Sequence, residues 1–125
     1  YYSLVGAVIR GNGIGKTINF PTINICLLNQ YQIIPSSGVY FVKIEIDNNK
    51  FDGMCNIGSR PTVTNSKEET IEIHIFRVET DEDFYNKKVK VCFVDFIRKE
   101  KKFKNINFLK EQLEKDKQFC LSVKV

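Results

Sequence analysis

The sequence predicts a mainly β protein, a small closed antiparallel barrel with one C-terminal helix. Apolar segments of strand length fill most of the chain, and short polar turns rather than helices separate them. A helical period occurs only near the C-terminus. Strands that follow one another through short turns pair antiparallel, and closing the sheet removes its exposed edges.

The strands are predicted from β-branched content and from alternation. The segment Asp47-Asn48-Asn49-Lys50 has the composition of a turn, so the runs on either side of it should form a hairpin. On Ile71–Ile75 the three isoleucines share one face, and Glu72 and His74 share the other. Strands are expected at residues 2–10, 39–46, 51–57, 71–78 and 89–97.

The helix is predicted from about Asn107 to Phe119. Either Asn105 or Asn107 is suited to cap its N-terminus. The residues that recur near one face of this helix are Ile106, Leu109, Leu113 and Cys120.

Bulk composition describes one ordinary globular domain. The chain has 125 residues, of which 42% are hydrophobic and 27% charged, and no apolar run approaches the roughly 20 residues of a membrane span. The four widely spaced cysteines and one histidine do not have the spacing of a Cys/His zinc site. They indicate reduced thiols and hence a cytoplasmic protein. Because the chain starts at Tyr1 without Met, we expect a piece excised from a longer protein.

The net charge of +4 is mildly basic. It suits an anionic ligand such as a nucleotide, and by itself it does not indicate nucleic acid.

The glycine segment Gly11-Asn12-Gly13-Ile14-Gly15-Lys16-Thr17 resembles a phosphate-binding loop only in part. A P-loop requires glycine where Arg10 stands, and it runs into a helix, which Pro21 disfavours. The three glycines still allow backbone N–H groups to converge on an anion, and Lys16 adds a point charge. The alternative is a flexible hairpin turn.

Pro21-Thr22-Ile23-Asn24 follows this segment. In an extended strand Thr22 and Asn24 point to the same side, about 6.6 Å apart along the chain. Their hydroxyl and amide oxygens are hard ligands suited to Mg²⁺ together with nucleotide phosphates. The alternative is an exposed polar strand face.

Seven motifs occur in order along nearly the whole chain. They are Gly6-x-Val8-x-x-Gly11, Gly13-x-Gly15-Lys16-x-x-x-Phe20-Pro21-Thr22-x-Asn24, Gly38-Val39-Tyr40, Asn56-Ile57-Gly58-x-Arg60-Pro61-Thr62, Glu72-x-His74, Asp83-Phe84-Tyr85 and Phe96-x-Arg98-x-Glu100-x-x-Phe103. Together they resemble bacterial riboflavin kinase, the C-terminal module of bifunctional FAD synthetase. Two positions depart from that pattern, Asn19 in place of glycine and Ile23 in place of alanine, and neither replaces a proposed ligand.

The resemblance implies a six-stranded antiparallel Greek-key barrel with a C-terminal helix, and an N-terminal adenylyltransferase domain in the native chain. It implies transfer of the γ-phosphoryl group of Mg-ATP to the ribityl 5′-hydroxyl of riboflavin, giving FMN and ADP. In this reading Glu72 is the catalytic base, and Arg98 and Phe103 contact riboflavin. Mg²⁺ is held by Thr22 and Asn24. ATP is bound by Gly11, Gly13, Gly15, Lys16, Thr22, Asn24 and Asn56.

Other readings of the same residues stay open. His74 is suited to orient Glu72, to contact the nucleotide, or to be a hydrogen-bonded structural histidine. The run Arg98–Lys104 is basic with one aromatic residue, as in loops that bind nucleic-acid phosphates. A non-catalytic barrel that binds nucleic acid or flavin is therefore the alternative to a kinase.

Overall fold

The computed structural model describes residues 2–9, 22–29, 31–61, 67–78 and 84–122. Within these ranges the chain forms six strands and one helix. They are β1 (Tyr2–Ile9), β2 (Ile23–Leu27), β3 (Gly38–Ile46), β4 (Asn49–Pro61), β5 (Lys67–Ile75), β6 (Lys88–Arg98) and α1 (Ile106–Ser122).

The strands form a closed barrel in the order β1-β2-β5-β4-β3-β6, with every neighbouring pair antiparallel. The predicted six-stranded antiparallel barrel with a C-terminal helix is confirmed. Closure depends on three contacts between distant parts of the chain, because β2 pairs with β5, β3 pairs with β6 and β1 pairs with β6.

The barrel interior is a single apolar cluster. Alternation on β5 places Ile71, Ile73 and Ile75 inside, as predicted, and leaves Glu72 and His74 on the outer face. Every strand contributes inward-facing residues to this cluster, among them Leu4, Val8, Ile23, Ile25, Val42, Ile44, Ile46, Cys55, Ile57, Val89, Val91 and Phe93.

A second apolar cluster lies outside the barrel, where α1 covers part of the outer face. Its buried members are Val39, Phe41, Met54, Phe76 and Cys120, and Leu109 and Leu113 pack against them. No helix in the described part of the chain is long and apolar enough to cross a membrane.

The helix differs from the prediction at both ends. It begins at Ile106 and continues to Ser122, and Ile106 is exposed rather than packed. The N-cap is Asn105, whose side-chain oxygen accepts a hydrogen bond from the Phe108 amide at 3.1 Å. Asn107 lies inside the first turn instead.

The β3–β4 hairpin is tighter than predicted. Asp47 and Asn48 alone form the turn, both with left-handed backbone (φ 52° and 66°), as a two-residue hairpin turn requires. Asn49 and Lys50 already belong to β4. Strand β5 ends at Ile75, earlier than the predicted 78. There the Phe76 amide donates to the Asp52 carbonyl at 2.8 Å.

Candidate active site

Three of the predicted site residues lie in one row across the neighbouring strands β2, β5 and β4. Asn24 on β2 opposes Glu72 on β5, and Glu72 opposes Asn56 on β4. Directly opposed residues in antiparallel strands have Cα atoms about 4.5–5.5 Å apart and side chains on the same face. The row therefore brings Glu72 between two amide side chains on the outer face of the barrel.

The antiparallel register also gives Glu72 two distinct sides along its strand. Because Ile23 opposes Ile73 and Asn24 opposes Glu72, Thr22 lies toward the His74 side of Glu72. Gly58 opposes Thr70 and lies on the other side. Thr22 itself is half-buried immediately before β2.

Asn24 has an unusual environment. Its side-chain Oδ1 is buried and accepts no hydrogen bond from any described residue. A buried acceptor without a donor costs about 1–3 kcal/mol, so such atoms need an explanation. An amide oxygen of this kind fits a cation as partner. The described residues contain no group of three or more His, Cys, Asp or Glu side chains suited to a metal.

Glu72 influences the thiol beneath it. Burial inside the barrel, and next the charge of the Glu72 carboxylate, raise the pKa of the Cys55 thiol well above its usual range. Cys55 therefore stays a neutral packing residue. Burial also raises the pKa of Tyr40.

His74 belongs to the covered part of the outer face. It is 7% exposed, it opposes Met54, and its ring meets that of Phe76 edge to face at 5.6 Å. These neighbours favour the structural reading of His74 over contact with a nucleotide.

Arg98 makes a buried ion pair that the sequence motifs did not indicate. Its Nε donates to both Asp116 carboxylate oxygens at 3.0 and 3.1 Å, and its Nη2 donates to Oδ2 at 2.8 Å. Asp116 is only 3% exposed and also accepts a hydrogen bond from Gln112 at 2.9 Å. The sequence did contain a signal for this ion pair, because the charged residue Asp116 lies on the apolar stripe of α1 between Leu113 and Cys120.

The loop between β6 and α1, residues 99–105, is held by this ion pair. Arg98 Nη1 donates to the Lys99 carbonyl at 3.0 Å, and the guanidinium lies 5.9 Å from the Phe103 ring centroid. Phe103 is half-buried. The contacts of Arg98 and Phe103 with riboflavin stay predictions, and they would have to form beside these interactions.

Part of the predicted nucleotide site falls on residues that the structure does not describe. Gly11, Gly13, Gly15 and Lys16 lie outside the described residues, so their phosphate contacts remain predictions. Asn56, by contrast, is described and exposed on the outer face beside Glu72.

A groove of about 430 Å³ lies on a different part of the surface. Its polar lining comes from the outer faces of β3, β4 and β6, near the β3–β4 turn, and includes Lys43, Glu45, Asp52 and Lys90. None of the row residues lines it. The candidate site is therefore defined by the polar row and not by this groove.

The chain matches known proteins over almost its whole length. The family model described as flavokinase, riboflavin kinase, matches residues 1–123. The chain is 41% identical to the bifunctional riboflavin kinase/FMN adenylyltransferase of Bacillus subtilis, covering 94% of this chain and 37% of that protein. It is 43% identical to the trifunctional protein RibF/MnmA of Mycoplasmoides gallisepticum, covering 97% of this chain and 18% of that one. The chain thus spans little more than a third, or less, of the length of these relatives.

Two solved structures share the fold. A Streptococcus pneumoniae protein described as a macrolide-efflux protein matches with a TM-score of 0.88 and 33% identity, over 98% of this chain and 39% of that chain. Riboflavin kinase from Trypanosoma brucei matches with a TM-score of 0.59 and 23% identity, over 94% and 76%. The efflux description concerns a chain of which this one covers less than half. Since the flavokinase model matches all but the last two residues, this chain belongs to the riboflavin kinase family.

Proposed function

We propose that this chain transfers the γ-phosphoryl group of Mg-ATP to the ribityl 5′-hydroxyl of riboflavin, giving FMN and ADP. The observation that carries the proposal is the row Asn24–Glu72–Asn56, in which a carboxylate stands between two amides on the outer face of the barrel. Phosphoryl transfer needs little covalent chemistry from the protein. It requires a base at the attacking hydroxyl and fixed partners for the phosphates.

Glu72 is the base in this proposal. Its carboxylate accepts the proton of the 5′-hydroxyl as the oxygen attacks the γ-phosphorus. Its position supports the role, because Asn24 and Asn56 flank it across the sheet and Thr22 lies toward one side along the strand.

Thr22 and Asn24 are the proposed ligands of Mg²⁺, with the nucleotide phosphates supplying further oxygens. The Asn24 oxygen fits this group, because it is buried and unpartnered among the described residues. Bound Mg²⁺ would offset the charge that develops on the phosphates. We assign Gly11, Gly13, Gly15, Lys16 and Asn56 to nucleotide binding on the resemblance alone.

Riboflavin is proposed to bind on the opposite side of Glu72, beneath residues 99–105. Phe103 offers an apolar surface for the flavin rings. Arg98 has donor N–H groups beyond those it gives to Asp116 and Lys99. Glu72 then lies between the phosphate donor and the acceptor hydroxyl.

The native context is also a proposal. Relatives such as the Bacillus subtilis protein are named for a second activity, FMN adenylyltransferase, and we propose that such a domain accompanies this one. We further propose that the protein acts in the cytoplasm. The four cysteines are free thiols, which suits a reducing compartment.

The test is FMN formation from riboflavin and ATP, followed by chromatography, with Mg²⁺ or ATP omitted in parallel. We expect equal amounts of FMN and ADP, and no FMN when either component is left out. Riboflavin binding without FMN would instead indicate a module that binds flavin only. Affinity for RNA that falls steeply with salt, with no FMN formed, would favour the nucleic-acid alternative.

A further inference from the structure

Four large apolar side chains are exposed on and beside the loop that follows β2. Their exposed fractions are 83% for Tyr31, 75% for Ile33, 57% for Leu28 and 45% for Tyr2 at the start of β1. The Tyr2 hydroxyl donates a hydrogen bond to the Ile33 carbonyl, so the loop and the start of β1 form one surface, which we call the loop patch. Single exposed apolar residues are ordinary, whereas a group of them marks an interaction site.

Side-chain hydrogen bonds hold this loop against the barrel. Gln32 pairs with Val5 of β1 as a neighbouring strand would. Its Nε2 donates to the Val5 carbonyl and its Oε1 accepts from the Val5 amide, both at 2.8 Å. Farther along the loop, the Tyr40 hydroxyl donates to the Ser36 carbonyl at 2.6 Å. A loop fixed in this way presents its apolar side chains to a partner with little further cost of ordering.

The loop patch lies in a part of the chain without charge. No charged residue occurs between Lys16 and Lys43, although 27% of the chain is charged. On α1, by contrast, the exposed Phe119 closely follows Lys115 and Lys117. The cores of protein interfaces are depleted of charge and enriched in tyrosine. The pattern therefore indicates a surface that another protein surface covers.

The size of the loop patch favours a partner that is joined to this chain. A stable complex between separate proteins uses about 20–30 residues on each side, and the patch offers four side chains. A covalent link raises the effective concentration of the partner, so a smaller contact is sufficient. Because β1 begins at Tyr2 and the Tyr2 side chain belongs to the patch, a domain joined before Tyr1 would enter the fold beside it.

We propose that the loop patch is the docking surface for the FMN adenylyltransferase domain of the native chain, and the inference rests on that proposed native context. The chain covers 37% of the Bacillus subtilis relative, which is named for this second activity. Leu28 lies four residues beyond Asn24, about 13 Å along an extended strand. The docking contacts are therefore separate from the residues proposed to hold Mg-ATP.

The test is hydroxyl-radical footprinting, in which mass spectrometry measures the oxidation of individual side chains. It compares this chain with the native full-length polypeptide that contains it. Tyr31, Ile33 and Leu28 should be oxidised severalfold less in the full-length polypeptide, because the docked domain excludes the reagent. Phe119 on α1, which is 49% exposed, should be oxidised equally in both.

Tyr31→Ser/Ile33→Ser is the test variant, and Phe119→Ser is the matched control, since each removes exposed apolar surface without changing the charge. In the full-length polypeptide the double substitution should raise Leu28 oxidation to the level found in this chain alone. Phe119→Ser should leave it low. FMN formation by this chain alone should be the same with and without the double substitution, because the patch lies away from Asn24 and Glu72.

Equal oxidation of Tyr31 in the two polypeptides would overturn the inference, and so would a full-length polypeptide with no domain beside this one. Protection of Tyr31 that is already present in this chain alone and disappears on dilution would assign the patch to a second copy, which also overturns it. If the double variant does not fold, the wild-type comparison decides by itself. A chain that makes no FMN would refute the kinase proposal, and the footprints would still decide whether the patch is a docking surface.

Discussion

The outer face of the barrel has two regions, and they differ in whether a buried side-chain oxygen has a hydrogen-bond partner. Where α1 covers the barrel, the buried Asp116 carboxylate is fully engaged by Arg98 and Gln112. Around the row Asn24–Glu72–Asn56, the buried Asn24 oxygen has no partner among the described residues. The first region is satisfied by the protein itself, as stability requires. The second leaves one oxygen without a partner, and in our proposal that oxygen binds Mg²⁺.

The largest expected effect is the loss of turnover in Glu72→Gln. Removing a general base should lower kcat for FMN formation by about 10²–10⁴-fold. Glu69→Gln is the matched control, because Glu69 is an exposed carboxylate on the same strand. Its kcat should stay near wild type. Normal turnover in Glu72→Gln would remove Glu72 from the chemistry.

In the region that α1 covers, substitution should lower the stability of the fold rather than the rate of turnover. Asp116→Ala leaves the Arg98 guanidinium, 14% exposed, without its buried partner. Breaking such a pair costs about 3 kcal/mol or more of unfolding free energy, as measured by urea denaturation. Glu111→Ala, which removes an exposed carboxylate from the same helix, should stay within about 0.5 kcal/mol. Equal losses of unfolding free energy in the two variants would show that the buried Arg98–Asp116 ion pair does not stabilise the fold.

Cys120, also in the covered region, makes stability fall at alkaline pH. Burial, then Asp116 and Asp95, raise the pKa of its thiol from about 9 to about 12. The unfolded thiol loses its proton first, so the unfolded state binds fewer protons between these pH values. The contribution of the Cys120 thiol to the free energy of unfolding is present below pH 9 and is lost as pH rises toward 12.

Cys120→Ala should therefore flatten the pH dependence. Relative to the variant, wild type should lose about 1.4 kcal/mol of unfolding free energy between pH 8 and pH 10. Urea denaturation at the two pH values measures the difference. Parallel losses in wild type and variant would mean that the thiol ionises as readily in the folded state.

The smallest effect has the opposite sign and belongs to the region around Asn24. Asn24→Val removes the unpartnered oxygen and places a β-branched residue on a strand. Unfolding free energy should rise by about 1 kcal/mol, while FMN formation falls. A destabilised Asn24→Val would mean that the amide contributes to the fold, and the contrast between the two regions would disappear.

The sequence predicts what depends on local periodicity and misses what depends on distant register. Alternation on β5 was sufficient to put Glu72 and His74 outside and the isoleucines inside. The alignment of Asn24 with Glu72 needs β2 to pair with β5, and no local pattern encodes that register. Asp116 was missed because apolar periodicity marks buried apolar residues and passes over a buried charge. Ile106 was wrongly assigned to the apolar stripe of α1. It is exposed in the first turn after the Asn105 cap, and the residues that pack begin at Leu109.

The most direct test of the region around Asn24 changes the metal preference of the reaction. In Asn24→Cys a soft thiolate replaces the hard amide oxygen, and thiolates select softer metals than Mg²⁺. FMN formation is compared in Mg²⁺ and in Cd²⁺. Asn56→Cys is the control, with a thiol on the other side of Glu72. We predict that the rate in Cd²⁺ relative to Mg²⁺ rises in Asn24→Cys alone. The same ratio in wild type and both variants would contradict a metal at Asn24.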